Sequence, residues 1–306
     1  MKVVETIAEL RAICGEARAS GRTVGFVPTM GSFHAGHRSL MSTARAETGL
    51  VVVSLFVNPT QFGPNEDLGA YPMDLDGDIG LAASVGVDVL FRPSVEEMYP
   101  GGAMGTTVHV SGLSDGMCAA ARPTHFDGVS TIVTKLFSIV GPCRSYFGRK
   151  DYQQLAIVRR MASDLDLPVT VVGCPLVREA DGLALSSRNA YLTPAERAAV
   201  PVLHAALTNT AVSIRAGERR AAAVTEAIWA RVASEPLVAL EYVEVRDAES
   251  LESRDEVTGA IVVALAARVG RARLIDNMVF TVDDTGVSVD AGVGIGADGL
   301  APDIVP

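Results

Sequence analysis

Residues 23–37 read TVGFVPTMGSFHAGH. Residues 23–28 form a short, uninterrupted apolar run, the pattern of a strand covered on both faces. A helix begins near Gly36, so PTMGSFHAGH (28–37) spans the step from strand to helix. Gly31 and Gly36 let main chain approach a ligand closely there, and the N-terminus of the following helix favours phosphate. His34 and His37 stand at that turn, where both imidazoles reach one triphosphate. As hydrogen-bond donors they suit charge building on an α-phosphate and on departing pyrophosphate. A pair of ordinary core or surface histidines is the competing reading. Metal ligation is the weaker one, because no third ligand of suitable type stands nearby.

Outward from this segment, residues 5–19 read as a helix and 49–57 (GLVVVSLFV) as a strand too apolar to be half-exposed. Further strands are predicted at 87–91, 145–147 and 169–172, with helices at 75–84, 126–140 and 152–163. This alternation predicts an α/β fold, a Rossmann-like doubly wound parallel sheet over residues 1–177, with ligands beyond the carboxyl ends of its strands. The pattern changes after Arg188. Thr193-Pro194 opens a helix running towards Gly217, and a second covers 220–234. Three strand-like runs follow at 240–247, 260–269 and 273–282. Residues 178–282 are therefore expected to form a smaller C-terminal α+β domain that closes over the first as a lid. Residues 283–306 are rich in Gly, Asp and Ala with little periodicity and read as a disordered tail.

The 306 residues are 48% hydrophobic and 20% charged, enough apolar sequence for a sizeable core. A net charge of −10 argues against a nucleic-acid partner and leaves room for a small anion in a local cationic pocket. Cys14, Cys118, Cys143 and Cys174 form no C-x-x-C pair and read as isolated buried thiols. The N-terminal MKVVETIAELRAIC lacks a signal-peptide core, and no apolar run reaches the ~18 residues needed to span a bilayer. A cytoplasmic protein without a membrane partner is expected.

Three further segments carry chemistry. NPTQF (58–62) follows the most hydrophobic strand and offers Asn58 and Gln61, uncharged amides suited to a small polar substrate. Asn-Pro is also an ordinary turn starter. In GRKDYQQ (148–154), Lys150 suits phosphate charge and Asp151 a ribose hydroxyl or a helix cap, with Gln154 a helical turn further on. A solvated loop competes with that reading. VREADGLALSSRN (177–189) centres on Ser186, Ser187 and Arg188, hydroxyls and a guanidinium fit to clamp phosphate, against the plainer reading of a linker.

The H-x-G-H turn and the later Ser/Arg loop resemble the nucleotidylyltransferase superfamily with HIGH and KMSKS motifs. PTMGSFHAGH, FVNPTQFGPNEDLGAYP, RPTHFDGVSTIV, FGRKDYQQL and VREADGLALSSRNAYL, in that order, are similar to the pantothenate synthetase family. The resemblance implies attack of pantoate on ATP to give pantoyl-adenylate and pyrophosphate, then transfer of the acyl group to β-alanine. It implies His37, His34, Lys150 and Arg188 as catalytic residues. ATP would be held by Met30, Gly31, His34, His37, Gly148, Lys150, Asp151, Val177, Leu185, Ser186, Ser187 and Arg188. Pantoate would meet Gln61, Gln154, Asn58 and Met30, and β-alanine Gln61. Asp78 matches an acidic position associated with Mg2+, which enters with ATP. Arg122 and His125 would add local positive charge, and a homodimer through the larger domain is expected. The sequence departs from the family at Ala35, Met73, Arg149 and Leu185, none of them a residue assigned to the chemistry except Leu185 of the triphosphate loop. A ligase for another acid or amine, or a nucleotide-binding relative without turnover, are the alternatives.

Overall fold

The computed structural model describes residues 1–64, 66, 68–102 and 105–296. Contacts divide the chain into two units, Met1–Arg149 with Ile157–Cys174, and Lys150–Ala156 with the residues from Pro175 onward.

The first unit runs β1 (Lys2–Val4), α1 (Ile7–Ala19), β2 (Val24–Thr29), α2 (Ala35–Glu47), β3 (Leu50–Leu55), α3 (Leu75–Ser84), β4 (Val89–Phe91), two short helices α4 (Val95–Met98) and α5 (Met117–Ala121), α6 (His125–Val140), β5 (Cys143–Gly148), α7 (Tyr152–Asp164) and β6 (Val169–Cys174). Its six strands are all parallel in the order β1-β4-β3-β2-β5-β6. Phe26 of β2 turns to the α6 side, where its ring lies 6.5 Å edge-on from Phe137. Val27, Val51 and Val53 pack with Leu40, Met41 and Ala44 of α2 on the opposite face. Helices therefore cover both faces, which is why β2 and β3 are apolar at almost every position. The strand order reverses between β2 and β5, so the loops after these strands open at the switch point where such sheets bind ligands. The chain passes between the units after Arg149, after Ala156 and after Cys174. The strand β1 escaped the sequence reading because its run is too short to show a period.

The second unit continues with β7 (Val177–Arg178), α8 (Pro194–Ala199), α9 (Pro201–Arg215), α10 (Ala221–Val232), β8 (Ala239–Asp247), β9 (Gly259–Val269), β10 (Ala272–Asp283), β11 (Gly286–Asp290) and β12 (Val293–Gly294). Antiparallel strands in the order β11-β10-β9-β8 bury Val263, Leu265 and Phe280 with Leu207, Ile214 and Ile228 from α9 and α10. The single helix expected from Thr193 to Gly217 is two. Thr193 and Glu196 form a reciprocal capping box on α8, but Pro201 has no N–H to continue it and opens α9.

The segment from 283 is structured as far as it is described, contrary to the expectation of a disordered tail. Asp283 Oδ1 accepts from Thr285 N at 2.7 Å and Gly286 N at 3.2 Å, closing a tight turn that returns the chain as β11 against β10. Asp283, Asp284 and Gly286 belong to that turn. Residues 297–306 of the expected tail lie outside the described residues.

Arg178 and Asp276 tie the ends of this unit together. Arg178, 4% exposed, donates to both Asp276 oxygens at 2.8 and 2.9 Å, and to the carbonyls of Gly182, Asn277 and Ala291. Asp276→Ala leaves that guanidinium buried without its counter-charge and is expected to cost about 3–5 kcal/mol, whereas a paired apolar replacement of both residues recovers most of it. Urea unfolding of the single and double variants is the check, and a loss well under ~1 kcal/mol in the single variant would mean water reaches the guanidinium.

Candidate active site

The loop after β2 is shaped from beneath by one carboxylate. Gly31 has φ +90° and Ser32 φ +55°, so the chain doubles back immediately after Met30. This turns the N–H groups of Ser32 and Phe33 onto Asp78, whose two oxygens accept them at 2.8 and 2.5 Å. A Cβ on Gly31 would stand 2.9 Å from Asp78 Oδ2, so both its dihedral and its surroundings call for glycine. Burial pushes the Asp78 carboxyl up from its ordinary value, and the two N–H donors act against that. Asp78, the position expected near magnesium, shapes this loop. Its carboxylate faces the loop, it is 3% exposed, and no group of His, Cys, Asp and Glu able to hold a metal occurs among the described residues.

The histidines cap α2. His34 is its N-cap and accepts from Gly36 N through Nδ1 at 3.1 Å, while His37 Nδ1 accepts from His34 N at 3.4 Å. A main-chain N–H can only donate, so both Nδ1 atoms are acceptors and each ring carries its proton on Nε2. The two rings lie 4.3 Å apart. A Cβ on Gly36 would come 2.9 Å from the His34 ring, which explains the glycine between the histidines. The turn thus holds a pair of Nε2–H donors at a helix N-terminus, an arrangement made for an anion.

The loop after β3 holds the second group. Asn58 caps a 3-10 turn, Pro59–Gln61, and is 1% exposed. Its Nδ2 donates to Gln61 Oε1 and to the Gly128 carbonyl, each at 3.2 Å, and its Oδ1 accepts from Tyr99 Oη at 2.5 Å. Asn58 was expected among the substrate-facing residues. In the structure both ends of its amide are bonded inside the protein, one of them to Gln61. Gln61 Nε2 reaches the Met30 sulfur at 3.0 Å, which joins the two loops. Arg122 and His125, expected to add local positive charge, are engaged within the protein. Burial alone would raise the Glu66 carboxyl, but Arg122 donating to it carries it below its ordinary value. His125 Nε2 accepts from Arg122 at 2.9 Å, which leaves Nδ1–H for the Gln61 carbonyl at 2.8 Å.

The remaining candidates fall elsewhere. Gly148 ends β5 in the first unit. Lys150, Asp151, Gln154, Val177, Leu185, Ser186, Ser187 and Arg188 belong to the second. There Lys150 Nζ lies 3.3 Å from Asp151 Oδ2, and Asn277 Nδ2 donates to the Lys150 carbonyl at 2.9 Å. The Asn277 carbonyl in turn accepts from Arg178, next to Val177, whose own carbonyl accepts from Leu185 N at 2.9 Å. Ser186 caps the 3-10 turn Ser187–Tyr191 that carries Arg188. The lysine and the Ser/Arg loop are thus fastened to one framework. Tyr99, Asp276 and Asn277 were not singled out from the sequence. Each acts through a bond partner distant in the chain, which the sequence does not show. All four cysteines are buried and free, and burial pushes Cys14 and Cys174 up to about 11 and Cys143 up to about 12, so these three offer no thiolate.

A doubly wound sheet with capped histidines at its switch point defines a nucleotide-handling α/β protein. The pantoate-beta-alanine ligase family model matches residues 2–279. Among curated relatives, the pantothenate synthetases of Heliobacterium modesticaldum and Moorella thermoacetica are 52% and 50% identical over 282 and 284 residues, covering 92% and 93% of this chain and 100% of each relative. The pantothenate synthetase structure from Thermus thermophilus superposes with a TM-score of 0.86 at 47% identity, covering 90% of this chain and 98% of that one. The pantoate-beta-alanine ligase from Francisella tularensis, complexed with beta-gamma ATP and beta-alanine, superposes at 0.72 with 33% identity, covering 90% of this chain and 97% of that one. This chain belongs to the pantoate–β-alanine ligase family.

His34 caps a helix besides any chemical role. His34→Ala is expected to lower stability by about 1 kcal/mol, and His34→Asn, whose side chain also caps, to restore most of it. Chemical denaturation of the three proteins checks this, and equal stabilities would show that the imidazole bears no part of the cap.

Proposed function

We propose that this chain condenses pantoate with β-alanine at the expense of ATP, through a bound pantoyl-adenylate, to give pantothenate, AMP and pyrophosphate. The observation that carries the proposal is the pair of Nε2–H donors on His34 and His37 at the sheet's switch point, in a chain that matches the ligase family over residues 2–279.

A pantoate carboxylate is ionised at neutral pH and needs no base. One of its oxygens attacks the α-phosphorus of ATP, a P–O bond forms, and the bond to pyrophosphate breaks. Charge grows on the α-phosphate and on the leaving group, where the donors of His34 and His37 stabilise it. Lys150 and Arg188 supply positive charge for the triphosphate, with Leu185, Ser186 and Ser187 contributing loop contacts. Met30, Gly31, Gly148, Asp151 and Val177 complete the nucleotide contacts. Gln61 and Gln154 hold the pantoate oxygens. The amine of β-alanine, near Gln61, then attacks the acyl carbon, a C–N bond forms, and the C–O bond to AMP breaks as the ammonium proton is lost. Catalysis of this kind is chiefly positioning and charge stabilisation. Mg2+ is part of the substrate, entering on the ATP phosphates. The second unit acts as a lid, the protein is a homodimer through its first unit, and it works in the cytoplasm. Among the described residues no helix is long and apolar enough to cross a membrane.

Pantoate-dependent pyrophosphate–ATP exchange, followed by β-alanine addition, tests the proposal. Exchange that yields pantothenate and AMP is expected, and in His37→Ala the adenylation rate should fall about 100-fold or more, the scale for one transition-state donor. Exchange with another acid alone, or none with any, would overturn it.

Asp78→Asn keeps the shape of the side chain but offers one acceptor for two N–H donors. The KM for ATP should rise about tenfold, equivalent to one weakened charged hydrogen bond, with the magnesium concentration for half-maximal rate unchanged. A large shift in that magnesium requirement would assign Asp78 to the metal.

A further inference from the structure

The side-chain amide of Gln61 has two ends, and which one meets substrate decides what it recognises. Two main-chain groups fix the answer through Asn58. The Thr60 N–H, 3.3 Å from the Asn58 amide, can only donate, so the atom facing it is the oxygen Oδ1. The Gly128 carbonyl, 3.2 Å from the other end, can only accept, so the atom facing it is Nδ2. Nδ2 carries two hydrogens and has two acceptors, Gly128 O and Gln61 Oε1. Gln61 is therefore held by its oxygen, and its Nε2 points the other way, onto the sulfur of Met30 at 3.0 Å. A thioether is a weak acceptor. A carboxylate or hydroxyl oxygen is a much better one for that N–H2 group.

Tyr99 fastens the arrangement from the loop after β4. Its hydroxyl donates to Asn58 Oδ1 at 2.5 Å, the shortest contact Asn58 makes, and Thr60 Oγ1 adds a third donor at 3.0 Å. The phenol ring is 5% exposed, packed near Phe56 with the Lys135 ammonium 5.3 Å from its centroid. The partner helix α6 comes close because residue 128 has no side chain, for a Cβ there would lie 2.4 Å from the Thr60 carbonyl. His125 and Arg122 hold the Gln61 carbonyl from the same side.

We propose that Asn58 and Tyr99 are positioning residues that hold the Gln61 amide with its N–H donors presented to an oxygen of the hydroxy-acid substrate, neither of them touching that substrate. The inference rests on the reading of Gln61 as a pantoate-binding residue. It deepens that reading, because it makes the Gln61 N–H2 group selective for acceptor oxygens of the substrate.

Two variants and a double-mutant cycle test it. Asn58→Asp has the same shape but nothing to donate to Gln61 Oε1, and Tyr99→Phe removes one hydroxyl while leaving the ring and its packing. Steady-state kinetics should show the KM for pantoate raised about tenfold in Tyr99→Phe and more in Asn58→Asp, with the KM for ATP nearly unchanged. In a Gln61→Ala background, Tyr99→Phe should add little, since residues acting through one group are not additive. Should Asn58→Asp fold poorly, the Tyr99→Phe pair of measurements decides alone. A raised pantoate KM in Gln61→Ala with none in Tyr99→Phe overturns the inference and leaves the function reading intact. An equal Tyr99→Phe effect with and without Gln61 overturns it too. An unchanged pantoate KM in Gln61→Ala removes Gln61 from the pantoate site, and the inference falls with that reading.

Discussion

A carboxylate buried under a loop governs the shape of the turn that carries His34 and His37. Burying a charge is unfavourable unless its oxygens are bonded, and Asp78 meets that requirement with the N–H groups of Ser32 and Phe33. It stands in the first turn of α3, where the helix dipole also favours a negative group. In return the two N–H donors can face it only if the chain passes through left-handed conformations at Gly31 and Ser32. Ser32 has a Cβ, so that conformation costs on the order of 1 kcal/mol or more, which the charged hydrogen bonds offset. With the loop so bent, His34 arrives at the N-cap of α2 and His37 one turn on. The tautomers of both rings follow from that placement.

The parallel sheet was legible because burial on both faces leaves an unmistakable trace. TVGFVP and GLVVVSLFV have no alternation to hide them, and the histidine turn between strand and helix marked the switch point directly. The type of residue at the site could be read, but its direction could not. Asn58 is as plausible a ligand for a hydroxy acid as Gln61 until Tyr99, Thr60 and Gly128 are seen to occupy its amide. An acidic residue in a sequence shows its charge and not what it faces, so the bonds of Asp78 to the Ser32 and Phe33 N–H groups gave no sign there. The error at Asp283 had the opposite cause. Asp-Asp-Thr-Gly has the composition of a disordered segment and also that of a tight turn, and only the pairing of β10 with β11 decides between them.

In the second unit the same separation of roles appears with different chemistry. Lys150 is the cation suited to phosphate, yet its main chain is held by Asn277, whose carbonyl is held by Arg178, whose charge is matched by Asp276. A flexible four-carbon side chain keeps its reach while its origin is fixed. Arg178 contributes no charge to a ligand, since all its donors are directed inward to Asp276 and to three carbonyls. Reading it as a phosphate residue from VREADG would have mistaken an anchor for a ligand.

Main-chain groups set the orientation of the side chains assigned to substrate: Gly36 N for His34, His34 N for His37, Thr60 N and Gly128 O for Asn58 and through it Gln61. Such donors and acceptors exist whatever residue occupies the position, so geometry built on them survives substitution there. This accounts for where the chain departs from the motifs of its family. Ala35 begins α2 between the two histidines, and the bonds that place them use the main chain on either side of it. Leu185 enters its loop through its N–H to the Val177 carbonyl. Met73 is 78% exposed and lies outside the packed network. Glycine is the reverse case, because at 31 and 36 it is the absent side chain that makes room for Asp78 and for the His34 ring. Variation is therefore open at 35, 73 and 185 and closed at 31 and 36, a division set by which atoms of each residue the site uses.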